Sequence, residues 1–212
     1  MTRTGTGTGA GPGAGPGAGT RREQTRQKLF VAAQQLIAEQ GFSSTTVDEI
    51  AERAGVAKGT VYYNFKNKND LFEELLRHGV GLLTATLREA SAAHPDAPVE
   101  QLDAMIRAGL GFIEQYRAFA QLLLSELWRT NRTWQQTLTL LREDAVAVVR
   151  ASLDAAVASG ELREDLDTGL AAPAVFGMVL VVALDWLTFQ PERTLDDVHA
   201  VLSTMVRGRL TP

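Results

Sequence analysis

AGVAKGTVYYNFKNK, residues 54–68, holds three lysines, two tyrosines and two glycines in fifteen positions, yet keeps apolar residues at helical intervals. The stretch just before it, Thr46-x-x-Glu49, reads as a capping box opening a short helix with Val47, Ile50, Ala51 and Ala54 inward. Gly55 ends that helix, Val56 follows as an apolar plug, and a second short helix over about 58–65 buries Val61 and Phe65. Two short helices joined by a three- or four-residue turn containing glycine form a helix-turn-helix. Ile50, Ala51, Gly55, Val56 and Val61 supply the small and apolar groups required where the helices cross, and Gly55 supplies the positive φ of a sharp turn. Lys58, Thr60, Tyr62, Tyr63 and Asn64 are then left on the outer face or at the start of the second helix. Donors and hydroxyls there suit phosphates and base edges in a major groove. Gly59 lets the backbone approach a phosphate, aided by the positive end of the helix, and Lys68 is placed to neutralise another.

Working outward, the pattern is helical nearly throughout. Residues 22–40 place Leu29, Ala32, Ala33, Leu36 and Ile37 on one face, and Gly41 stops that helix. Asn67 with Asp70 caps a long helix over 68–92, with Phe72, Leu75, Leu76, Leu83 and Leu87 as its inner stripe. The run His94-Pro95-Asp96-Ala97-Pro98 is a domain boundary. Helices at about 99–129, 134–158, 167–189 and 195–208 follow, with Thr194-x-x-Asp197 as a further cap. In residues 5–19 glycine occupies every odd position, a composition that cannot offset its chain entropy by burial. The expected organisation is all-α: a disordered tail (1–20), a three-helix helix-turn-helix domain (21–67), a connecting helix and linker (68–98), and a helical domain (99–212).

The 212 residues are 45% apolar and contain no cysteine, so disulfide and thiolate chemistry are excluded and a reducing cytoplasm is the expected setting. The three histidines, His78, His94 and His199, have no metal-ligand spacing, and no cofactor is expected. The first twenty residues lack the apolar centre of a signal peptide. The longest apolar run, 174–184, is closed by Asp185 and is too short to span a bilayer. Residues 1–80 carry ten Lys/Arg against eight Asp/Glu, whereas the rest carries eleven against seventeen. This asymmetry directs an anionic partner to the N-terminal part.

The string from Thr25 to Phe72, above all TTVDEIAERAGVAKGTVYYNFKNKNDLF (45–72), closely resembles the DNA-binding domain of the tetracycline-repressor (TetR) family. The resemblance implies a homodimeric transcriptional regulator, usually a repressor, released from a near-palindromic operator in double-stranded DNA by a small molecule. Carried over by position, it assigns DNA contacts to Thr46, Lys58, Gly59, Thr60, Tyr62, Tyr63, Asn64 and Lys68. Two departures stand out. Ala57 occupies a position where a capping serine is common, which removes about 1 kcal/mol of helix capping. Asn64 replaces a common histidine, and asparagine is suited to reading adenine.

In the C-terminal part a cavity between helices, lined by some of Leu102, Ile106, Phe112, Tyr116, Trp128 and Phe176, is the expected site of a hydrophobic or amphipathic effector. The helices at 167–189 and 195–208 carry more apolar surface than one monomer covers, which marks them as the homodimer interface. The alternative is an effector-independent regulator or an activator, and a well-formed cavity counts against the effector-free version. No nucleophile–base pair, phosphate loop or metal constellation supports an enzyme.

Overall fold

The computed structural model describes residues 17–127 and 132–210, with side chains described for 21–125, 139 and 142–208. Trp128, expected at the cavity, and the tail up to residue 16 lie outside the described residues. All regular structure among the described residues is helical: α1 (Gly17–Gln40), α2 (Val47–Arg53), α3 (Lys58–Asn64), α4 (Lys68–Ala92), α5 (Pro98–Gln115), α6 (Arg117–Leu127), α7 (Arg132–Ala158), α8 (Thr168–Phe189) and α9 (Leu195–Leu210). The first helix begins at Gly17, inside the range read as tail; no proline after Pro16 interrupts helical backbone there.

Local chemistry accounts for most of the boundaries. The Thr46 hydroxyl accepts from the Glu49 N–H at 3.2 Å, and Glu49 Oε2 accepts from the Thr46 N–H at 2.7 Å, which closes the capping box of α2. Gly55 has φ +66° and carries the chain from α2 into the turn. Ala57 precedes α3 without a side-chain cap. Asn67 Oδ1 accepts from the Asp70 N–H at 2.9 Å and opens α4, while Thr194 and Asp197 form the reciprocal cap before α9.

The expected helix over 99–129 is instead two helices, α5 and α6, broken at Tyr116 (φ −116°, ψ 43°). No glycine or proline marks the break. The half-buried Tyr116 ring packs on Phe112 with centroids 4.7 Å apart, and the change of direction lets α6 lie against α1. Tertiary packing overrides an unbroken helical pattern here.

The N-terminal core gathers Leu29, Ala33, Ile50, Val61, Phe65 and Phe72, all buried. The C-terminal bundle packs α4 against α5 and α7, and α5 and α7 against α8, with α9 docked on α5. Arg107–Asp196 (2.5 Å) and a cluster of Asp103 with His199 (3.3 Å), Ser203 and Arg207 (3.8 Å) hold α9 in place. At 22 residues α8 is long and apolar enough to cross a membrane by composition. It lies instead against α5 and α7, with Val175, Val179, Ala183 and Trp186 buried and Asp185 exposed.

Candidate nucleic-acid interface and apolar cavity

Packing of α3 decides which of its side chains are available. Val61 and Phe65 point into the core, so Tyr62 and Tyr63 face outward and are 50% and 75% exposed. Lys58 and Gly59 are exposed at the start of the helix, and Thr60 is half-buried. The guanidinium of Arg22, from α1, lies 5.8 Å from the Tyr63 ring centre, adding a cation beside the exposed aromatic pair. Thr46 is exposed at the start of α2, with its hydroxyl also donating to Glu49 Oε2 at 2.8 Å.

An acidic neighbour restrains the lysine at the head of α3. Lys58 Nζ sits 2.7 Å from Asp48 Oδ1 and donates to Oδ2 at 2.9 Å, and this bond holds the lysine above its ordinary pKa. Both partners are exposed, so the pair opens readily to a competing phosphate. On the flank, Arg53 bridges to both carboxylate oxygens of Glu39 at 2.9 and 3.0 Å. That bond lowers the pKa of Glu39 and raises that of Arg53.

Two residues assigned to the DNA face have other partners. Lys68 Nζ donates to the carbonyls of Thr45 (2.8 Å) and Phe42 (2.9 Å) and sits 4.4 Å from the Phe42 ring centre. It clamps the α1–α2 loop, because three carbonyls of that loop converge on the start of α4. Asn64 is half-buried: its amide N–H donates back to the Thr60 carbonyl at 2.8 Å, and its Oδ1 is buried without a partner. The amide is folded onto its own helix, because the α3 backbone offers a carbonyl one turn back. Arg26 likewise serves the fold, pairing with Glu74 at 3.0 Å and lying over the Phe65 ring at 4.7 Å.

The C-terminal bundle holds a partly open cavity of about 40 Å³ between α4, α5, α6, α7 and α8. Leu102, Ile106, Phe112 and Phe176 line it, as expected from the sequence. Tyr116 does not; it stands outside, its ring tilted by 41° against that of Phe112 at the helix break. Sequence reasoning missed Leu83 and Leu87 of α4, Phe119 and Leu123 of α6, and Val179 and Leu180 of α8. Their apolar periodicity marks them as core, and only the packing separates cavity wall from core. Among the described residues, no lining side chain carries a charge or a hydrogen-bonding group beyond the Met105 thioether. Among the described residues no cluster of His, Asp or Glu is arranged to hold a metal ion.

Comparison with known proteins supplies the family. Residues 29–75 match the model for bacterial regulatory proteins of the tetR family, and residues 95–209 match the tetracyclin repressor-like C-terminal domain. The fatty acid metabolism regulator protein of Bacillus subtilis is 28% identical over 178 residues, covering 84% of this chain and 91% of its own. Among solved structures, the fatty acid degradation regulator FadR from Bacillus halodurans superposes with a TM-score of 0.79 at 24% identity, covering 94% of this chain and 98% of that one. The transcriptional regulator FadR from Bacillus subtilis in complex with stearoyl-CoA gives 0.76 at 25% identity, covering 85% and 96%. These relatives are transcriptional regulators and not enzymes. With the helix-turn-helix and the C-terminal domain both matched, this chain belongs to the tetR family of bacterial regulatory proteins.

Proposed function

We propose that this DNA-binding regulator acts as a cytoplasmic homodimeric repressor of a near-palindromic operator, and that a long-chain acyl thioester releases it. The observation that carries the reading is the cavity. Its wall among the described residues is apolar and includes Leu83 and Leu87 of α4, the helix that begins at Lys68 beside the DNA-binding part. Such a wall rewards each buried methylene by about 0.8 kcal/mol and offers nothing to a head group. It therefore selects an alkyl chain whose polar end stays outside. The likeness to a regulator crystallised with stearoyl-CoA supports the same class.

On the DNA side, Lys58, Gly59, Thr60, Tyr62 and Tyr63 of α3 meet the major groove, with Thr46 at a phosphate. Lys68 and Asn64 act by shaping the α1–α2 loop and α3. Two copies of α3 must enter successive major grooves about 34 Å apart. The second copy is recruited by the outer faces of α8 and α9, where Leu170, Val181, Phe189, Val201 and Met205 are exposed. An acyl chain that favours a mis-spaced arrangement weakens operator binding through its differential affinity for the two states.

The test is fluorescence anisotropy on the duplex recovered by footprinting the protein on its own upstream region. Stearoyl-CoA is expected to release the protein, free CoA to leave it bound, and Ile106→Trp, which fills the cavity, to abolish the response to stearoyl-CoA. Operator affinity unmoved by any acyl-CoA from eight to eighteen carbons would refute the acyl reading.

A further inference from the structure

Helices α4 and α6 meet where α4 has no side chain. Gly79 is buried, and a methyl group built on it would overlap Cε2 and Cζ of Phe119 and approach Cδ2 at 2.8 Å. Gly79 has ordinary helical backbone, so its glycine answers to space and not to conformation. A glycine inside a helix costs about 0.5–1 kcal/mol relative to alanine, a cost that here admits an aromatic ring to the helix backbone.

That ring has three neighbours of different kinds. It forms part of the cavity wall, beside Ala120 and Leu123. It is 2% exposed and set edge-on to Phe112, with centroids 6.4 Å apart and planes at 85°. And it rests on the bare backbone of α4 at Gly79. The helix that carries it, α6, also packs against α1 of the DNA-binding part. The α4 residues at the cavity, Leu83 and Leu87, present flexible side chains that yield by changing rotamer. Phe119 meets α4 with no such cushion. In an interior packed like an organic crystal, a displacement of the ring is passed on to the helix.

We propose that Phe119 is the positioning residue that transmits occupancy of the cavity to α4, through the notch left by Gly79. With the cavity empty, α4 closes on the ring. A chain filling the cavity presses the ring toward a notch already full, and α4 moves away, carrying the start of the helix that clamps the α1–α2 loop. The inference rests on the cavity being the effector site, and its principal test depends only on DNA binding.

A methyl group at Gly79 imitates that pressure without any ligand. On the footprinted operator duplex, with no effector present, Gly79→Ala is expected to weaken binding about tenfold or more, with dimer mass and helical circular dichroism unchanged. Phe119→Leu in the same chain removes the ring and is expected to restore operator affinity to within about threefold of wild type. Wild-type affinity in Gly79→Ala, or a loss that Phe119→Leu does not relieve, overturns the proposal. Should Gly79→Ala fail to fold, the double variant must recover both fold and operator binding; recovery of the fold alone overturns it as well. Failure of stearoyl-CoA to release the wild-type protein would remove the acyl reading and leave this result standing.

Discussion

Lys68 Nζ donates to the Thr45 carbonyl at 2.8 Å, so the first residue of α4 is tied to the loop that delivers Thr46 to the start of α2. A lysine in this place has two available roles, phosphate contact or loop clamp, and salt dependence separates them. Each phosphate neutralised contributes about 0.9 to the slope of log affinity against log salt. Lys68→Met is expected to lower both thermal stability and operator affinity, the former by about 1–3 kcal/mol from the lost charged hydrogen bonds. The salt slope is expected to stay at its wild-type value. A slope reduced by one phosphate equivalent, with stability intact, would return Lys68 to the DNA face.

The pair Lys58–Asp48 leads to a prediction of opposite sign. Asp48 holds the ammonium at 2.7 Å and adds a negative charge beside the exposed start of α3. Asp48→Asn frees the lysine and is expected to strengthen binding to random-sequence duplex about threefold to tenfold at low salt, with a steeper salt dependence. Competition titrations at two salt concentrations measure this, and unchanged nonspecific affinity would show that Lys58 lies away from the phosphates.

Docking of α9 on α5 sorts its residues into two faces. Val198, Leu202 and Val206 are buried, while Val201 and Met205 face outward alongside Val181 and Phe189 of α8. Val181→Arg combined with Met205→Arg places cations in a face read as self-associating. Light scattering is expected to show a monomer with wild-type helical content, and operator binding is expected to disappear with the dimer. A dimer that persists would move the interface elsewhere.

Acid sensitivity follows from the helix caps. The Thr46 hydroxyl and backbone N–H hold Glu49 below the ordinary value of 4.5, and the Thr194 N–H and hydroxyl hold Asp197 below 3.8. Carboxylates with lowered folded pKa values stabilise the fold above their unfolded values, and that contribution is lost as pH falls through the folded ones. The thermal midpoint is therefore expected to fall as pH drops below about 4.5, and Glu49→Gln to flatten part of that fall. Melting curves across this window check it, and an identical pH profile in Glu49→Gln would contradict it.

Legibility in the sequence followed the range of the interactions. The helix-turn-helix was readable because its signals are local: a capping box at Thr46–Glu49, a left-handed glycine at 55, and Val61 and Phe65 spaced to leave Tyr62 and Tyr63 outside. The partners of Lys68 were not readable, since its three acceptors lie over twenty residues away in sequence and meet it only when the loop folds back. The break at Tyr116 carries no glycine or proline and exists because α6 must turn onto α1. Four cavity residues were found because aromatic and aliphatic stripes mark the inside of a bundle. Phe119 carries no such mark, for nothing in periodicity distinguishes a ring lodged against Gly79 from any other buried phenylalanine.

The central claim is that the outer face of α3 reads duplex DNA. Its most direct measurement is a competition titration of the full-length protein on its footprinted upstream duplex against random sequence, repeated with Tyr62→Ala and Tyr63→Ala. Wild type is expected to prefer its own site by about a thousandfold or more, and the tyrosine variants to lose most of that preference while keeping wild-type melting temperature and dimer mass. A wild-type protein with no preference, or tyrosine variants that keep it in full, would contradict the account.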